Sequence, residues 1–184
     1  MKLKKLALVL TGALVSLSLL GCGAGGDQAK QASKLRVGAS IDFAPFEFQD
    51  EGQKDYQGFD MDLIRAVAKE MGSEAEIQNI GFDGLIPALQ AKNIDVIISG
   101  MTINDERKEK VAFSDPYYQS GLTMVVRSDE ENIKSFSDLK WHKVAVQIGT
   151  TSAKMVKEME GVTITELNTP ADCFIELKAR GVDA

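Results

Sequence analysis

Leu89-Gln90-Ala91-Lys92-Asn93-Ile94-Asp95-Val96 recurs 88 residues later as Leu177-Lys178-Ala179-Arg180-Gly181-Val182-Asp183-Ala184. Each stretch reads as the end of a helix, a capping residue and the start of a strand. A unit repeated at a fixed offset points to two lobes of similar build.

The segments around each copy alternate in type. Residues 35–39 read as a strand. Phe59, Leu63, Ala66, Val67 and Met71 recur at helical spacing, with Asp60 near the start and Gly72 as a stop. Residues 75–80 form the next strand. Asp83 is placed to cap a helix through Leu85, Leu89 and Ala91, with Pro87 tolerated in its first turn. Residues 94–98 are rich in β-branched side chains, as suits a strand buried on both faces. Residues 122–127 and 144–147 read as strands, and residues 152–160 and 171–180 as helices. Thr169 caps the last helix, Pro170 opens it and Gly181 ends it. Alternating strands and helices predict an α/β protein with mostly parallel sheets covered by helices. In the first copy of the repeat the strand runs on into Ser99-Gly100-Met101-Thr102. In the second copy the sequence stops at Ala184, so the second lobe is expected to be incomplete.

The amino terminus carries a different signal. Lys2, Lys4 and Lys5 precede a mainly apolar stretch over residues 6–20, short of the roughly 20 residues a spanning helix needs. This is the pattern of a secretory signal. Leu19-Leu20-Gly21-Cys22 resembles the bacterial lipobox, which implies acylation of Cys22 after cleavage. Residues 23–34 are small and polar, as a flexible tether would be. The expected organisation is therefore a signal peptide over 1–21, lipidated Cys22 and linker over 22–34, a first lobe over 35–126 and a partial second lobe over 127–184. Without the three leader lysines, 18 basic and 27 acidic residues remain, a net charge of −9. No basic block is left to follow a phosphate backbone, so nucleic acid is not expected as a partner. Cys173 is then the second and last cysteine, so no disulfide is expected. It reads as a small core residue.

Gly58-Phe59-Asp60-Met61-Asp62-Leu63-Ile64-Arg65-Ala66-Val67-Ala68 resembles the signature of the polar amino-acid binding proteins of bacterial ABC importers. Pro45-Phe46-Glu47-Phe48, Gly84-Leu85-Ile86-Pro87-Ala88-Leu89, Thr102-Ile103-Asn104-Asp105-Glu106-Arg107 and Phe113-Ser114-Asp115-Pro116-Tyr117-Tyr118 fit the same family in the same order. The resemblance implies a two-lobed periplasmic-binding-protein-like fold that closes on one amino acid. It implies a monomer at the outer face of the cell membrane or in the periplasm, without cofactor, delivering its ligand to an ABC permease.

A zwitterionic ligand needs a cation and donors for its carboxylate, acceptors for its ammonium and a slot for its side chain. Arg107 lies among Asp105, Glu106, Lys108, Glu109 and Lys110, where a solvated surface residue would be the ordinary reading. The family motif instead makes it the carboxylate ligand, and its guanidinium fork suits that task. Ser99, Gly100, Met101 and Thr102 follow a strand, where open α/β sheets bind ligands. The Thr102 hydroxyl and N–H can donate to the carboxylate, and carbonyls near Ser99 or Gly100 can accept from the ammonium. The resemblance places Phe43 and Phe82 as aromatic walls. From the second lobe come Gln147, Gly149, Thr150 and Thr151, the threonines at a helix start where free N–H groups attract anions. Many relatives carry an acid at the position of Ser40. Asp42, two residues on and facing the same side of an extended segment, can substitute for it. The family's second-lobe acid that grips the ammonium falls past Ala184.

Two other functions fit parts of this pattern. Some proteins of the same fold dehydrate cyclohexadienyl amino acids, which requires an acid placed at a leaving hydroxyl. Others are sensor domains for membrane kinases. The lipobox and importer motifs favour binding. Basic amino acids or glutamine are the expected ligands. His142 and Trp141 read as a solvated turn, and no second His or Cys cluster accompanies them to suggest a metal.

Overall fold

The computed structural model describes residues 33–184. The expected signal peptide, the lipobox and Cys22 lie outside the described residues. Two small parallel sheets organise the chain. The first has the order β2-β1-β3, built from β1 (Ser33–Ala39), β2 (Ser73–Asn79) and β3 (Val96–Ile97). The second pairs β4 (Lys143–Gln147) with β5 (Thr163–Leu167). Helices α1 (Phe59–Glu70) and α2 (Leu85–Gln90) connect the first sheet. A short α3 (Asp105–Lys108) follows it, and α4 (Thr151–Lys157) and α5 (Pro170–Lys178) serve the second.

β1 starts at Ser33, two residues before the expected body. Ser33 and Lys34 are drawn out of the linker because they continue the ladder against Ser73 and Glu74. In register, Val37 lies between Ile77 and Val96. Val37, Ala39, Met61, Ile64 and Ile98 form one core. Ile133, Leu139, Val144, Val146, Ala153 and Val156 form another. Each sheet therefore has its own apolar centre, as separate lobes require.

The repeat is visible bond for bond. In the first copy Ala91, Lys92 and Asn93 N–H groups donate to Pro87, Leu89 and Ala88 carbonyls. In the second, Ala179, Arg180 and Gly181 donate to Ile175, Leu177 and Glu176. Lys92 and Arg180 both turn left-handed, at φ 61° and 64°. Arg180 thus ends α5 where Gly181 was expected to do so. Asp95 then caps the edge of β1 by accepting from Arg36 N–H, and Asp183 does the same for Lys143 N–H, both at 2.9 Å.

Three local expectations fail. Asp83 does not cap α2. It sits inside a 3₁₀ turn over Phe82–Gly84, and no side chain caps α2. Residues 122–127 form no strand. Leu122 and Val125 remain exposed, so β-branched and apolar composition alone does not supply a pairing partner. In α1 the helix is where periodicity put it, but Phe59, Val67 and Met71 are exposed, while Asp60, Met61, Ile64 and Ala68 are buried.

Candidate functional site

The carboxyl ends of the parallel strands all open on one cavity of about 360 Å³. Asp42 and Phe43 follow β1, Phe82 follows β2, and Ser99, Gly100 and Thr102 follow β3. Gln147 ends β4, and Thr150 and Thr151 begin α4. Ten of the thirteen expected ligand-site residues therefore meet at one space. Ser40, Met101 and Gly149 are not among its walls.

Arg107 is buried, at 8% exposure, despite its charged sequence neighbours. Asn104 Oδ1 accepts from Arg107 N–H at 2.9 Å, which caps α3 and aims the side chain inward. The fork then spans the cleft. Nη1 donates to Thr102 O at 2.8 Å, and Nη2 donates to Gly149 O at 3.0 Å. The guanidinium also lies 5.5 Å from the Phe82 ring centroid, a favourable cation–π distance. Burial holds its pKa below the usual arginine value, opposed by Glu106. Its remaining N–H donors are free to meet an anion.

Ser40 is itself buried and acts behind the wall. Its hydroxyl donates to Asp42 Oδ2 at 3.0 Å. Asp42 faces the cavity, and Gln147 Nε2 approaches it across the cleft at 3.4 Å. Burial raises the Asp42 pKa, with the Ser40 hydrogen bond opposing. The Ser99 hydroxyl is committed to the scaffold, donating to Glu47 Oε1 at 2.7 Å and accepting from Ser40 N–H at 3.0 Å. Thr150 is similarly engaged. Its Oγ1 accepts from Ala153 N–H at 3.2 Å and donates to Gln147 O at 2.7 Å, so the hydroxyl caps α4 and the loop before it.

Phe43 stacks on Phe46 with ring centroids 5.8 Å apart. Leu122, Val125 and Phe174 extend the apolar wall in the second half. Cys173 borders the cavity half-buried, with its thiol pushed up by burial, and is not a core residue. His142, expected to be solvated, has Nδ1 3.3 Å from Asp183 Oδ2, while Trp141 beside it is exposed.

Glu47 also borders the cavity, and sequence reasoning gave it no role. Its signal was an acid between two aromatic residues, Phe46 and Phe48, in an otherwise apolar run. Glu47 and Asp60 are both fully enclosed. Asp60, read as a helix-start residue, accepts at Oδ2 from Gly100 N–H and from the Tyr117 hydroxyl, both at 2.9 Å.

Two parallel sheets whose strand ends share a mainly apolar, aromatic-walled cavity with a few convergent polar groups define an α/β ligand-binding protein. The chain belongs to the bacterial extracellular solute-binding proteins, family 3, whose model matches residues 35–178. It is 37% identical to the arginine-binding extracellular protein ArtP of Bacillus subtilis (strain 168), over 99% of this chain and 72% of that protein. It is 34% identical to the ABC transporter arginine-binding protein 1 of Escherichia coli (strain K12), over 84% of this chain and 63% of that protein. A solved ancestral arginine-binding protein bound to arginine superimposes with a TM-score of 0.80 at 46% identity, covering 83% of this chain and 69% of its own. The fold is the periplasmic-binding-protein-like one of these relatives.

Proposed function

We propose that the protein captures a basic amino acid outside the cytoplasm and delivers it to an ABC permease, held at the membrane through acylated Cys22. Arg107, with the Thr102 and Thr151 groups, receives the α-carboxylate. Phe43 and Phe82 flank the aliphatic stem, and Asp42 reads the cationic end. The observation that carries the reading is the charge pattern of the cavity. Among the described residues that line it, the cation Arg107 shares about 360 Å³ with the Asp42 carboxyl between aromatic walls. A ligand whose carboxylate meets Arg107 and whose side-chain cation meets Asp42 matches that pattern. The names of the relatives support arginine among such ligands.

Titration calorimetry on the purified protein tests this, with arginine, lysine, histidine and glutamine as ligands. Binding of arginine or lysine more tightly than glutamine supports the reading. Preference for glutamine would move the ligand class. No amino-acid binding, with turnover of prephenate or arogenate instead, would replace binding by dehydration.

A further inference from the structure

At the cavity floor, four polar side chains form a connected group. Glu47 comes from the loop after β1, Asp60 from α1, Ser99 from the loop after β3 and Tyr117 from a later loop. Glu47 Oε1 accepts from the Ser99 hydroxyl, and Asp60 Oδ2 accepts from Gly100 N–H and Tyr117 Oη. The Glu47 and Asp60 carboxyls lie within hydrogen-bond reach of each other. Each has one buried oxygen without a donor, Glu47 Oε2 and Asp60 Oδ1. Two adjacent ionised carboxylates repel, and each unmet buried acceptor is unfavourable. A single proton shared by the two carboxyls removes that repulsion and gives the group the donor it lacks.

We propose that Glu47 and Asp60 hold one proton between them, carried on Glu47 Oε2, and that this pair positions the Ser99–Gly100 backbone of the ligand site. The positional part of this inference rests on the binding reading above; the proton itself does not. Glu47 fixes Ser99 through its hydroxyl, and Asp60 fixes Gly100 through its N–H. Glu47 is a positioning residue. The charged groups that act on it are Asp60 and Asp42, both acids, and the Tyr117 hydroxyl faces Asp60. Burial first, and then these acids, push Glu47 from 4.5 up to about 9 against the Ser99 hydrogen bond. Its proton is bound in the folded chain and absent from the unfolded one between those values. The stability it contributes is therefore full below the lower value, falls as pH rises and is gone above the upper one.

Glu47→Gln supplies a permanent version of the protonated acid, with an N–H toward Asp60 and a carbonyl toward Ser99. Chemical denaturation of wild type and Glu47→Gln is compared in steps between about pH 5 and about pH 9. The folded-to-unfolded ratio of wild type, relative to the variant, is expected to fall by up to about tenfold per pH unit in that window. Arginine affinity is expected to break downward near the upper end in wild type and to show no break in the variant, whatever its absolute affinity. Side-chain carboxyl NMR of Glu47 in wild type gives the same answer without a variant. A midpoint in the ordinary glutamate range, or parallel pH slopes for the two proteins, would overturn the shared proton. A shared proton with pH-independent arginine affinity would overturn the positioning role alone. Absence of arginine binding would count against the proposed function and leave the stability comparison decisive for the proton.

Discussion

Arg107 shows how position within a motif outweighs local composition. Its neighbours are all charged, and such a run is ordinarily a solvated face. The side chain is nonetheless buried, with its fork divided between carbonyls of the two halves. Truncating a buried charged partner costs on the order of 2–5 kcal/mol. Arg107→Ala is therefore expected to weaken amino-acid binding by roughly 30-fold or more. Arg107→Lys should also bind poorly, because a point charge cannot bridge Thr102 O and Gly149 O while holding a carboxylate. Asp42→Asn separates the two ends of the site. It should reduce affinity for arginine and lysine while changing glutamine affinity little. Calorimetry reads all three variants, and unchanged affinity in both Arg107 variants would return that residue to the surface class. Which residues touch the cavity was legible from family motifs. That Ser99 spends its hydroxyl on Glu47 was not, because that bond joins residues 52 apart in sequence.

Helix α1 illustrates the same limit for elements. Its span follows from apolar spacing, yet the buried stripe is shifted onto Asp60, Met61, Ile64 and Ala68. The shift is set by tertiary contacts at the helix start. Phe59 N–H donates to Pro45 O and Asp60 N–H to Phe46 O, which press the first turn against the loop after β1. Gly58 makes that approach possible. It has φ 117°, and a Cβ there would lie 2.2 Å from Phe46 O. Gly58→Ala should therefore destabilise the protein by at least about 1 kcal/mol, measured as a lower urea midpoint at constant m-value. A neutral result would mean the loop yields easily and does not set the helix phase. Strand positions were legible for β1, β2, β3 and β4 because alternating elements and β-branched runs agreed, whereas β5 was not read from the sequence. Residues 122–127 had the composition without a neighbour to pair with, and composition carries no information about neighbours.

At the scale of the whole molecule, the second lobe copies the first closely enough for the cleft to be a meeting of equivalent strand ends. Among the described residues, three polar contacts join its sides. Arg107 reaches Gly149 O, Gln147 reaches Asp42, and Lys154 pairs with Glu106 at 3.0 Å. They differ in weight. The Lys154–Glu106 pair is exposed on both partners, so solvent and salt screen it, and Glu106→Gln is expected to leave ligand affinity unchanged. Gly149 is the opposite case. It has φ 79°, and a Cβ there would stand 2.9 Å from Asp83 Cβ, across the cleft. A side chain at this point strains the backbone and holds the halves apart, where a ligand gains affinity only from contacts made when they meet. The left-handed conformation alone costs an L-residue roughly 1–2 kcal/mol. Gly149→Ala should therefore weaken arginine binding by roughly five- to thirty-fold. The same variant should show a smaller rise in melting temperature on adding saturating arginine than wild type does. Equal ligand-induced shifts in Gly149→Ala and wild type, with Glu106→Gln as the reduced one, would place the closing contact on the ion pair and remove Gly149 from it.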